Sequence, residues 1–166
     1  MTSLTGNPDG TTAPCEVSHL LRREIQAPIA AALIRGFARA LGRDRAVEIA
    51  TAAVSVDAEA AGREAAARLG GGSLTGLARL VREVWSAGDA MAVSFLESTE
   101  RRLSFDVTRC AYADLYGRLG MRDLGFCLSC SRDEPFARGF NPLLRLVRTR
   151  TIMQGAPSCD FRFSLD

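Results

Sequence analysis

Met91-Ala-Val-Ser-Phe-Leu-Glu-Ser-Thr-Glu-Arg-Arg-Leu-Ser-Phe-Asp-Val-Thr-Arg-Cys110 is the stretch on which the fold turns. Before it, up to Gly88, apolar residues recur every three or four positions. Within it, Met91, Val93 and Phe95 alternate with smaller or polar residues, and so do Leu103, Phe105 and Val107. A period of two is that of strands, and the polar run Ser98 to Arg102 between the two halves makes this a β-hairpin. The chain therefore changes from helix to sheet here.

Working outward, residues 16 to 41 carry Val17, Leu21, Ile25, Ile29, Leu33, Phe37 and Leu41 at i, i+4 spacing. This predicts an amphipathic helix with that stripe turned to the core, kinked or split at Pro28 and capped by Gly42. Asp44 is placed to cap a second helix reaching Leu69, whose inner face is small: Val47, Ala50, Val54, Ala58, Ala61 and Ala65. Small residues let helices approach closely, so residues 16 to 69 read as a long antiparallel pair. Gly70 to Gly72 end it, and Ser73 caps a third helix with Leu77, Leu80, Val81, Val84 and Trp85 on its apolar face.

Beyond the hairpin, residues 111 to 139 return to a helical pattern broken at Gly117 to Gly120 and near Pro135, and Gly139 to Pro142 form a loop. Two more strands follow, Leu144 to Met153 and Cys159 to Leu165, with a turn at Gln154 to Pro157. The order helices, hairpin, helices, hairpin gives an α+β fold: a long-helix pair and further helices on a four-stranded antiparallel sheet.

At 166 residues the chain predicts one domain over 15–166, preceded by a flexible tail over 1–14. A net charge of +2 gives no field to attract nucleic acid or an acidic membrane. All 21 basic residues are Arg, which excludes lysine nucleophiles and Schiff bases. No apolar run reaches membrane-spanning length, and the N-terminus lacks the basic start and apolar stretch of a signal peptide. Five cysteines in such a chain predict free thiols in the cytoplasm.

The residue types that carry chemistry cluster in the last third. Cys110, Cys130 and Cys159 are the thiols to consider as nucleophiles or metal ligands, against a reading as small buried hydrophobes. Cys127 and Cys130 form a lone Cys-x-x-Cys with no second pair, so any zinc site has to be assembled by the fold. Strand parity puts Cys110 on the face of Asp106 and Thr108, opposite Phe105 and Val107, and Cys159 with Phe161 and Phe163. Asp133, three residues after Cys130, can share a cavity with it, whereas Asp160 points away from Cys159 along a strand. The bland reading of both carboxylates is a cap or an ion pair with Arg132 or Arg162. Arg22, Arg23, Arg109, Arg148, Arg150 and Arg162 are guanidiniums suited to a substrate carboxylate. Asp57 reads as a half-buried group with a capping or paired role. His19, the only histidine, reads as exposed near a helix start. The absence of Gly-x-Gly-x-x-Gly and of a phosphate-binding Gly-Lys predicts no nucleotide cofactor.

Leu21-Arg-Arg-Glu-Ile-Gln-Ala27, Phe105-Asp-Val-Thr-Arg-Cys110-Ala-Tyr-Ala-Asp-Leu-Tyr116, Leu128-Ser-Cys-Ser-Arg-Asp133, Gly139-Phe-Asn-Pro142, Arg148-Thr-Arg-Thr-Ile-Met-Gln-Gly155 and Cys159-Asp-Phe-Arg-Phe163 resemble the L-2-amino-thiazoline-4-carboxylic acid hydrolase-like proteins. Gln26 and Gln154 stand where this pattern leads one to expect acidic residues. The resemblance implies hydrolysis of a thiazoline, a cyclic amidine, to a carbamoyl amino acid. It implies Cys110, Cys130, Asp133 and Cys159 as catalytic candidates and Arg23, Arg109 and Asp160 as substrate-binding ones. More distantly, the helices followed by a Gly-x-x-x-Cys-x-Phe hairpin resemble 4-vinyl reductase-like sensor domains. That likeness implies a small-molecule binding module without turnover, with zinc on Cys110, Cys130 and Cys159 as the alternative use of the thiols and a homodimer as its assembly.

Overall fold

The computed structural model describes residues 17–165. The tail expected over 1–14, and Cys15, lie outside the described residues.

Helix α1 runs His19–Leu41, with Ser18 accepting from the Leu21 N–H at 3.1 Å as its N-cap. It passes through Pro28 without a break; Pro28 is exposed, so water can reach the carbonyl whose helical partner the proline removes. Gly42, with φ of 84°, joins it to α2 (Arg43–Arg68) as a single-residue hinge. Gly42, not Asp44, is therefore the cap. Asp44 sits in the first turn of α2, where the helix dipole favours a negative charge. Helix α3 (Leu74–Leu80) is capped by Ser73 as its sequence predicts and continues as a wide π-turn, Val81–Trp85. Strands β1 (Met91–Ser98) and β2 (Arg102–Cys110) follow, then α4 (Ala111–Arg118), α5 (Arg122–Leu128) and α6 (Asp133–Phe140), and finally β3 (Leu144–Val147) and β4 (Cys159–Leu165).

The sheet is antiparallel in the order β1-β2-β4-β3. Phe105, Val107, Phe161 and Phe163 on one face meet Leu77, Val81, Ala137 and Phe140 in the main core. A second core lies between α1, α2, α4 and α5, where Ala27, Ala31 and Ile34 pack with Ala46, Tyr116 and Leu124. Close helix approach occurs as the small residues of α2 predict, but its tightest use is against α6. A Cβ on Gly62 would run into the Phe136 carbonyl, and one on Gly139 into the Glu59 carbonyl.

Two expectations are corrected. The stripe from Val17 to Leu41 does not face the core: all seven residues are exposed, and Ala27, Ala31 and Ile34 are buried instead. At 3.6 residues per turn, i+4 steps drift by about 40° each, so a long strict i+4 row winds around a helix. Alanines let the inner side of α1 lie close to the body. The strand expected over 144–153 stops at Val147. Asp160 takes the N–H groups of Thr149 and Arg150, at 3.0 and 2.8 Å, and the Ile152 N–H donates to Cys159 Sγ at 3.2 Å. With those donors committed, the chain turns through a 3-10 segment, Ile152–Gln154, to Gly155 at φ 99°.

Candidate active site

A cavity opens at the end of the sheet where β2 finishes and β4 begins. The start of α1 covers it with His19 and Arg23, the π-turn after α3 with Trp85, and the start of α4 with Tyr112. Cys130, Arg132 and Asp133 arrive on the 3-10 turn that runs into α6, and Arg148 on the irregular segment after β3. Met91, Val107, Phe136 and Phe161 complete an apolar wall.

Cys110 and Cys159 both line this cavity, although strand alternation put them on faces of different character and left their meeting to the register. The reason is a bulge: Ala92 pairs with Arg109 but Val93 with Val107, leaving Thr108 as an extra residue. One unpaired residue flips every side chain beyond it, so Cys110 joins the face of Val107. Val107 in turn lies directly opposite Cys159. Cys110, the Cys130 and Asp133 pair, and Cys159, from three distant parts of the sequence, are thus brought together, with Arg23 among them. Arg109 and Asp160 are not. Arg109 is exposed on the far side of the bulge. Asp160 is spent on the backbone: burial would raise its pKa, but the Thr149 hydroxyl at 2.6 Å and the N–H groups of Arg150 and Thr149 hold it low. Arg162 pairs with Asp106 at 2.7 Å, not with Asp160. Cys127 is buried on α5 and accepts from the Thr51 hydroxyl at 3.2 Å.

His19 was read as exposed and is instead half-buried in the cavity wall. Its Nδ1 lies 3.2 Å from the Tyr112 hydroxyl, which also lies 3.2 Å from the Trp85 carbonyl. The tyrosine has one proton and the carbonyl can only accept, so Tyr112 donates to Trp85 and accepts from His19. Nδ1 then carries the histidine proton and Nε2 keeps its lone pair. Burial, then the charges of Arg23, Arg132 and Arg22, lower the His19 pKa to about 4, so the imidazole is neutral at neutral pH. Burial first, and then Cys110, push Tyr112 up to about 12, keeping its hydroxyl protonated. A sequence signal for His19 did exist: it precedes Arg23 by one helical turn.

The charges divide unevenly. Asp133 is paired with Arg148, whose other nitrogen donates to the Cys130 carbonyl at 3.0 Å and whose guanidinium lies 5.1 Å over Phe161. Burial raises the Asp133 pKa and Arg148 opposes it. Arg132 is paired with Asp57 at 2.6 Å; Asp57 is paired as expected but exposed. Arg23 is different. Its one hydrogen bond reaches the neutral Gln26 at 3.2 Å, and among the described residues no carboxylate lies within ion-pair distance of it. Burial and the neighbouring Arg132 lower its pKa, which marks an uncompensated positive charge. An anion in the cavity would relieve it.

The three thiols are all shifted upward, in each case chiefly by burial. They stand as neutral wall groups, not thiolates. Among the described residues no group of three or more His, Cys, Asp or Glu side chains could hold a metal ion. Cys110, Cys130 and Cys159, the thiols of the alternative zinc reading, are not gathered into such a group.

The family model for L-2-amino-thiazoline-4-carboxylic acid hydrolase matches residues 22–163. The chain belongs to this hydrolase family. The match spans the cavity from Arg23 to Phe161 and both strands that floor it, leaving only His19 of the groups discussed just outside it. No curated protein and no solved structure matches the chain. Among the described residues, no helix of this family member is long and apolar enough to cross a membrane.

Proposed function

We propose that the cavity hydrolyses a small cyclic amidine acid, of the 2-amino-thiazoline-4-carboxylate kind, to a carbamoyl amino acid. The observation that carries this is Arg23: a half-buried guanidinium without a carboxylate partner, one helical turn from a neutral imidazole. Arg23 binds the substrate carboxylate by charge-assisted hydrogen bonds. Trp85, Phe136 and Phe161 pack on the ring. Asp133, held by Arg148, faces the amidine nitrogens, which carry positive charge when protonated.

His19 Nε2 takes a proton as water adds its oxygen to the amidine carbon. The ring C–N bond then breaks with its electron pair on nitrogen, which takes the proton that His19 returns and the hydroxyl proton of the adduct and leaves as the ammonium of an S-carbamoyl amino acid. One water is consumed and the carbonyl oxygen of the carbamoyl product is that water's. Substrate anion beside Arg23 offsets the positive charge that lowers the His19 pKa, so the base strengthens on binding. Cys110, Cys130 and Cys159 shape the wall in this reading.

The test is direct turnover, with the carbamoyl product followed by chromatography. Arg23→Met is expected to raise KM, and His19→Gln to lower kcat by 10²-fold or more, on the order of general acid–base contributions. Ligand binding without turnover by the wild-type protein would overturn the hydrolytic step and leave a binding module.

A further inference from the structure

The outward face of α1 is the least expected surface of the molecule. Leu21, Ile25, Ile29, Leu33, Phe37 and Leu41 are each between 44% and 69% exposed. A scattered exposed leucine is ordinary, but six large apolar residues in one row are not.

The row has a shape. Residues four apart form a ridge inclined to the helix axis, and the next ridge lies three residues on. Beside Ile25, Ile29, Leu33 and Phe37 that next row is Pro28, Ala32, Gly36 and Ala40. Three of these four are small, and a Cβ on Gly36 would meet nothing nearer than the tip of Arg39 at 3.8 Å. A high apolar ridge therefore runs beside a shallow groove of equal length. Such a surface complements itself: ridge fits groove when an identical helix crosses it, the commonest helix packing. Self-complementarity is what a two-fold interface requires, because one patch serves both partners.

The area is of the right order. The four ridge side chains Ile25, Ile29, Leu33 and Phe37 leave on the order of 100 Å² each in solvent, about 400 Å² per chain, or roughly half of the 800 Å² per partner in a standard interface. On α2, Ile49 and Val56 add further exposed apolar surface, at 40% and 72%.

We propose that two copies of this chain pair through the outward face of α1, each ridge seated in the other's groove. The inward side of the same helix carries His19 and Arg23, so the partner copy clamps the helix that supplies the anion-binding group.

Light scattering after gel filtration tests this. The wild-type chain is expected at twice its 17.8 kDa mass. Ile29→Asp places a charge on the ridge, and Gly36→Leu fills the groove without adding charge at a half-buried position where a Cβ meets only the tip of Arg39. Both are expected at the mass of one chain, with unchanged helical circular dichroism in Gly36→Leu. A wild-type chain at single mass overturns the proposal, including one that instead binds anionic phospholipid vesicles. So does a dimer that survives both substitutions.

Discussion

His19 is the only histidine in the chain, so its titration can be followed by one imidazole resonance. Burial is the largest cause holding its pKa near 4, followed by Arg23, Arg132 and Arg22. The unfolded chain binds this proton near the ordinary 6.5, the folded one only near 4. Between those values the unfolded state holds more protons, so His19 makes the fold less stable as pH falls through the window and is neutral in effect above it. At about 1.4 kcal/mol per pH unit the full displacement is worth roughly 3 kcal/mol. The perturbation is Arg23→Met. It removes the strongest of the neighbouring charges but not the burial, so the His19 pKa should rise above 4 and stay below 6.5. The assay is a carbon-edited NMR titration of both proteins, with urea unfolding at several pH values for wild type and His19→Gln. The glutamine variant should lose the part of the pH dependence lying between 6.5 and 4. A wild-type His19 that titrates near 6.5 and ignores Arg23→Met would refute the buried, cation-flanked environment on which its role rests.

Further outcomes follow from the same geometry. With His19 as the base of the free enzyme, kcat/KM should be level through neutral pH and fall only below about pH 5, as the imidazole begins to protonate. Arg148→Met leaves Asp133 without its ion-pair partner in a buried site; urea melts should show a loss of about 3 kcal/mol, and Asp133→Asn in the same background should recover part of it. Asp160→Asn weakens a carboxylate that accepts from Thr149 and Arg150, so about 1–3 kcal/mol of stability should go, with KM nearly unchanged if Asp160 is structural. Gly139→Ala drives a methyl into the Glu59 carbonyl and should cost at least about 1–3 kcal/mol in thermal or urea unfolding. Cys110, Cys130 and Cys159 should react slowly with iodoacetamide in the folded protein at pH 8 and rapidly in urea, as measured by mass spectrometry.

The hairpin at 91–110, the glycine at the α1–α2 junction and the Ser73 cap are local features, and local sequence contains them. So the α+β class and the four-stranded sheet are legible. What depends on contacts far apart is less so. The i+4 row on α1 looks like a core stripe because sequence shows periodicity but not which side is covered. Here the alanines are the inner side. Parity along β2 fails at Thr108 because a bulge is decided by pairing with β1. The convergence of Cys110, Cys130, Asp133 and Cys159 was expected only from family likeness, since nothing local to Cys130 specifies that β4 brings Cys159 beside it. Arg23 was among the residues expected to hold substrate. That it lacks a carboxylate partner depends on the distant packing of α2 and the turn before α6, and His19 gains its meaning from Tyr112, 93 positions away.

The most direct measurement is turnover of 2-amino-thiazoline-4-carboxylate by the wild-type chain and by Arg23→Met at saturating and limiting substrate. The wild type should form the carbamoyl amino acid, and the variant should lose kcat/KM mainly through a higher KM. Absence of product from a folded wild-type chain that binds the acid, or an Arg23→Met variant with unchanged kinetics, would contradict the account.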